Sequence, residues 1–185
     1  MKKVIFAMAM LSSSLVATAQ TSVTKDGVIE FDATAKNSPE KIDAKNPKTV
    51  ATINATTGAI EIGVLVAGFH FERALMEEHF NENYLESKKF KSSTFKGTIT
   101  NLKDVNLKKD GTYPVKVAGK LTMHGVTKDV TTDGSVGVKG GIITEASATF
   151  ATKLADYAVA IPGAVKDKIA TEAKLKVHLK DMKKK

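Results

Sequence analysis

The 185-residue chain has no cysteine, no tryptophan, four prolines and only four histidines. Without cysteine there is no disulfide framework, no thiolate metal site and no thiol nucleophile, so a core must hold the fold. With no tryptophan and 6% aromatic residues, large aromatic anchors are few. No stacking aromatics interleave with the lysines, which argues against a nucleic-acid partner. Several catalytic patterns are also missing: no G-x-S-x-G elbow, no H-E-x-x-H pair, no dinucleotide glycine fingerprint, no phosphate loop and no solenoid-length repeat.

What is present begins with a leader. Lys2 and Lys3 precede the apolar run "VIFAMAMLSSSLV", and Ala17–Ala19 form a small-x-small cleavage site. These features predict a secretory signal peptide over residues 1–19, cut near Ala19/Gln20, and a single mature domain over residues 20–185. A membrane-spanning helix needs about 20 apolar residues, and Ser12–Ser14 interrupt this run early. No cysteine follows the cut, which excludes the lipoprotein form of anchoring. The expected destination is the bacterial periplasm or beyond. The formal charge of +8 falls to about +6 when Lys2 and Lys3 leave. Much of the excess is near the end, at Lys174, Lys176, Lys180 and Lys183–Lys185. It predicts a solvated edge strand and frayed tail, with weak contact to an anionic membrane surface as the sharper reading.

The dominant period along the mature chain is two. In "GTYPVKVAGKLTM", Tyr113, Val115, Val117, Gly119, Leu121 and Met123 share a face opposite Lys116 and Lys120. "STFKGTI" and "AKLKVHL" alternate likewise, and "GVIEFDA", "KTVATINA", "VTKDVTTDGSVGV" and "IITEASATFATKL" read as further strands. "AIEIGVLVAGFHF" is apolar on both faces, which predicts a doubly covered strand. Asp110-Gly111, His124-Gly125 and Gly140-Gly141 are turn signals. So many antiparallel strands in one domain predict an all-β barrel or sandwich. Gly97, Gly119, Ala146 and Ala148 fall at inward positions. They either leave room for one apolar ligand or let the sheet bend at corners.

Two segments break the period. From Arg73 to Leu85, Met76, Phe80 and Tyr84 recur at i+4, the stripe of a short amphipathic helix. Glu78, Glu82 and Asn81 lie elsewhere on its surface. "IPGAVKDKIA" holds a helical turn ahead of the last strand.

"GKLTMHGVTKDV" (Gly119–Val130) resembles the G-x-L-T-I/L-H-G-V-T-K/R-x-V segment of the YceI-like family, exported lipid- or polyisoprenoid-binding proteins. "ALMEEHFNENYLESKKFKSSTFKGTI" (Ala74–Ile99) resembles that family's preceding helix and strand. The likeness spans about residues 50–179. Phe90-Lys91 stands where the family commonly has a proline after the aromatic, and Met123 replaces the commoner isoleucine. The resemblance implies a lipocalin-like antiparallel β-barrel of about eight strands, with a short connecting or capping helix and an elongated apolar cavity. Its implied ligand is a polyisoprenoid, an isoprenoid quinone or a fatty-acid-like amphiphile, with no cofactor, no metal and no enzymatic activity.

On that reading the ligand threads among Phe69, Phe71, Phe95, Val117, Leu121, Met123 and Phe150, with Met76, Phe80 and Tyr84 closing one mouth. Two other classes stay open: a metal-dependent enzyme or stress protein using a His70/His79/Glu cluster, and an interaction module with a filled core. His124 is expected to lock a turn and His178 to face solvent among lysines.

Overall fold

The computed structural model describes residues 20–185; the expected signal peptide lies outside the described residues. Alternating, β-branched segments become long strands: β1 (Thr21–Thr34), β2 (Asp43–Asn54), β3 (Ala59–Leu65), β5 (Ser92–Ile99), β6 (Gly111–Met123), β7 (Val126–Lys139), β8 (Ile142–Lys153) and β9 (Ile169–Leu179). Each pairs antiparallel with its neighbour, and β1 pairs with both β2 and β9, so these eight close into a barrel. Two short strands extend it, β4 (His70–Phe71) along β2 and β10 (Lys183–Lys184) along β1. Closure removes the exposed edges that an open sheet would present.

The two ends differ. At one end, the turns after β2 and β7, the long β5–β6 connection and β10 meet over a core that includes Ile53, Ile143 and Met182, each at most 2% exposed. The C-terminal lysines are therefore not a frayed tail. Lys183 and Lys184 are ladder-bonded to Val23 and Ser22, and Met182 anchors them in the core. At the other end the chain crosses the barrel through α1 (Ala74–His79) and a π-helical turn, Phe80–Tyr84. The Leu85 amide donates to the Phe80 carbonyl at 2.8 Å, an i→i+5 bond. This wider turn brings Leu85 into the interior, 5% exposed, while Tyr84 stays half-buried. The simple i+4 stripe over Arg73–Leu85 is corrected to that extent.

Three further expectations are corrected. The doubly covered strand ends at Leu65, which is 65% exposed on the outer face. A 3-10 turn at Val66–Gly68 resets the side-chain phase, so Val66 and Phe69 both point inward. Asn46 holds this turn, donating from Nδ2 to the Leu65 carbonyl at 2.9 Å. Asp110-Gly111 is not a tight hairpin: β6 begins there after a long connection, and the Asp110 carboxylate accepts from the Gly140 amide at 2.8 Å. In β8 a bulge opposite Gly137/Val138 puts Ile143, not Ile142, fully inside.

Gly97 and Gly119 are direct partners across β5 and β6, and the Phe95 ring lies over both. A Cβ on Gly119 would sit 2.5 Å from the Lys96 carbonyl oxygen and 2.7 Å from the Phe95 ring. The two glycines neither hollow the barrel nor merely bend it; they make the seat for a phenyl ring. Gly119→Ala is expected to destabilise the fold by about 1–3 kcal/mol. Urea denaturation checks this as a lower midpoint with an unchanged m-value.

Candidate functional site

Inward side chains from every barrel strand surround a central cavity of about 130 Å³ whose wall is almost wholly carbon. Ile29, Ile62, Val64, Phe95, Val117, Leu121, Phe150 and Val177 line it, with Phe69 and Phe80 towards the end crossed by α1. Three of the five hydroxyl side chains on the wall are engaged with other partners. Ser135 and Ser147 bond each other at 2.9 Å, and Thr132 donates to the carbonyls of Asp133 and Thr149.

Beneath α1 lies a second chamber of about 330 Å³, lined by Ile42, Phe71, Met76, Tyr84, Val159 and Ile169 among others. Phe31, Phe80, Leu85 and Leu154 face both spaces and form the partition between them. Phe80 is its centre: its ring meets Phe31, Phe69 and Phe71 at centroid distances of 5.8, 5.6 and 5.0 Å, all tilted or edge-on. Such pairs contribute about 0.5–1.5 kcal/mol each beyond the area they bury. Burial also pushes the Tyr84 phenol above its usual range.

The ten residues expected to meet a ligand divide between these spaces. Phe69, Phe95, Val117, Leu121, Met123 and Phe150 line the central cavity, Phe71, Met76 and Tyr84 line the chamber, and Phe80 serves both. Sequence reasoning overlooked Phe31, although "GVIEFDA" alternates so as to place Ile29, Phe31 and Ala33 on one face. It also overlooked the charges at the chamber rim. Glu40 is held by Arg73 and by Lys168, the latter at 3.5 Å. The Arg73 hydrogen bond and the Lys168 charge hold the Glu40 carboxyl below its usual range.

His124 does lock a turn. His124 and Gly125 both have positive φ, 50° and 76°, the two-residue hairpin geometry that matches strand twist. Nδ1 lies 3.0 Å from the Tyr157 carbonyl, which can only accept, so this nitrogen donates. Nε2 faces the Glu86 carboxylate at 2.8 Å. The Phe90 ring packs edge-on against the imidazole at 4.6 Å. One imidazole thus ties the β6–β7 hairpin to the segment after α1 and to the turn after β8.

The histidine-centred alternative does not assemble. His70 contacts Glu77 at 3.5 Å, and Glu77 also accepts from the Phe71 amide, while His79 lines the chamber. Among the described residues no three metal-ligating side chains converge. His178 is exposed on β9 between Lys176 and Lys180.

A family model described as the YceI-like domain matches residues 8–180. The chain belongs to the YceI-like family. No curated protein matches it. Among solved structures it is similar to a polyisoprenoid-binding domain from Saccharophagus degradans implicated in plant cell wall breakdown. That pair shares 14% identity over 87% of this chain and 97% of the other, with a TM-score of 0.70. Burkholderia cenocepacia BcnA is 18% identical over 83% and 94% of the two chains, TM-score 0.65. A Campylobacter jejuni YceI protein is 17% identical over 100% and 94%, TM-score 0.55. At these identities the likeness establishes the shared barrel fold.

The rim cluster yields a titration. A lowered carboxyl pKa contributes stability above the unfolded value, near 4.5, that is lost as pH falls through the lower folded value. Carbon-13 NMR is expected to place the Glu40 midpoint below 4.5. Arg73→Ala should raise it more than Lys168→Ala, because the Arg73 hydrogen bond is the largest influence.

Proposed function

We propose that this protein holds a long, thin apolar molecule inside its barrel, as a periplasmic carrier or sequestering protein and not an enzyme. The carrying observation is the open central cavity. An apolar void of about 130 Å³ costs about 3 kcal/mol if left empty, at ~24 cal/mol per Å³. A filled-core interaction module has no reason to bear that cost. The bore suits a single chain of carbons, and a bulky ring system is better accommodated in the chamber beneath α1. A polyisoprenoid, a quinone's isoprenoid tail or a fatty-acid-like amphiphile has that shape. Family membership and the Saccharophagus neighbour's polyisoprenoid binding support this reading, and the leader supports export. Affinity then rises with buried chain length, ~0.8 kcal/mol or roughly fourfold per CH2.

Organic extraction of purified protein followed by mass spectrometry is expected to release a stoichiometric long-chain molecule, and His79→Ala should retain it. A clean extract from protein that holds bound metal would reject the carrier reading. Stripped protein should take up diphenylhexatriene, an apolar fluorophore. Ala146→Leu, which adds carbon to the cavity wall, is expected to raise the thermal midpoint while cutting uptake by about tenfold or more. A filled core predicts the reverse: no uptake by the parent and overpacking in the variant.

A further inference from the structure

The barrel wall has a second opening, at the seam between β7 and β8. Their ladder runs from Lys139/Ile142 to Gly134/Ala148 and stops. Both strands continue, β7 still paired to β6 as far as Val126 and β8 still paired to β9 as far as Lys153. Above Gly134/Ala148 the hydrogen bond described across the seam is the Thr132 hydroxyl, shared with the Asp133 carbonyl, reaching the Thr149 carbonyl at 3.3 Å. The gap is bounded at the top, where the Tyr157 carbonyl meets His124. It is therefore a window in the side of the barrel, and a cleft of about 330 Å³ lies against it.

Two features distinguish this cleft from a simple divergence of strands. Val130 and Phe150 line both the cleft and the central cavity, so two half-buried side chains form the partition. The other way into the cavity is blocked by Phe80 in its cluster of phenylalanines. Moreover, Tyr157, which lines the cleft, is 1% exposed, and its hydroxyl makes no well-formed hydrogen bond, with the Thr152 side chain of the same cleft as its polar neighbour. A buried hydroxyl without an acceptor is unusual, because leaving it so is costly. Burial pushes this phenol above its usual range, so it remains a donor. Lys128, Lys153, Asp156 and Glu172 stand around the same cleft.

We propose that the β7–β8 cleft seats the polar head of the bound amphiphile, a head with an acceptor oxygen that takes the Tyr157 hydrogen bond, while the tail passes between Val130 and Phe150 into the barrel. This rests on the carrier reading and adds to it where the head sits and which way the ligand travels. Phe150 is the passage residue and Tyr157 the residue that distinguishes a headed ligand from a bare hydrocarbon.

Two fluorophores test this: cis-parinaric acid, an unbranched tail with a carboxylate head, and diphenylhexatriene, which has no head. Tyr157→Phe removes only the orphaned hydroxyl, so the variant is expected to fold with an undiminished thermal midpoint. It should bind cis-parinaric acid about tenfold more weakly, ~1.4 kcal/mol, and diphenylhexatriene as the parent does. In stopped-flow mixing, Phe150→Ala is expected to raise association and dissociation rates together, by about fivefold or more, where a lost contact alone would raise only dissociation. Equal binding of cis-parinaric acid by Tyr157→Phe and the parent, or an unchanged association rate in Phe150→Ala, would overturn the lateral site and leave the carrier reading standing. Failure of the parent to bind either fluorophore would remove both.

Discussion

Every part of this molecule depends on β1 bonding on both of its edges. Ile29 faces Asn46 of β2 on one side and Val177 of β9 on the other. That double pairing turns a meander of strands into a closed wall, and closure separates inside from outside. The strand achieves it with a bulge between Thr24 and Gly27, which turns Lys25 and Asp26 out to solvent and returns Ile29 to the interior. Thr24 stabilises the bulge by accepting the Asp26 amide at 3.1 Å. Without this local irregularity, one half of β1 would present its polar face to the cavity.

Closure then governs the chemistry on both faces. Outside, charges can pair across strands in rows: Glu61 with Lys96, Lys120 with Asp129, and Lys116 with Asp133. These pairs are exposed and worth little individually, but they keep the outer surface polar. Inside, the wall is almost wholly carbon and offers nothing to satisfy a charge, and the hydroxyls of Thr132, Ser135 and Ser147 are bonded to each other or to backbone. Polar groups gather at the borders of the interior: the Glu40–Arg73–Lys168 rim, the His124 tie and the Tyr157 hydroxyl. On the proposed carrier function, a barrel built this way would select ligands by shape and length within, and by polarity at its openings.

Much of the wall was legible because a half-buried strand announces itself by alternation. Val117, Leu121 and Met123 on β6, and Phe95 on β5, follow directly from that pattern and do face the cavity. Where the chain changes phase, alternation alone misleads. The 3-10 turn at Val66–Gly68 exposes Leu65 and buries Phe69, and it exists because Asn46, 19 residues earlier, captures the Leu65 carbonyl. The π-turn at Phe80–Tyr84 and the bulge that exchanges Ile142 for Ile143 are likewise settled by packing against distant strands. The opening between β7 and β8 left no mark at all, since both strands look continuous and are continuous; only their mutual pairing ends. Non-local geometry of this kind has no local composition to betray it.

The first and last of the described strands lie side by side. The Lys185 amide donates to the Thr21 carbonyl at 2.9 Å, at the sealed end of the barrel. Whatever is joined to the domain through either Thr21 or Lys185 therefore emerges at its base, away from both the chamber and the lateral cleft. Tethered through either residue, the barrel stands like a flask held by its foot, with its openings facing away from the tether. The same adjacency makes the barrel a candidate for circular permutation, with Thr21 and Lys185 joined and new ends cut at the Gly140-Gly141 turn.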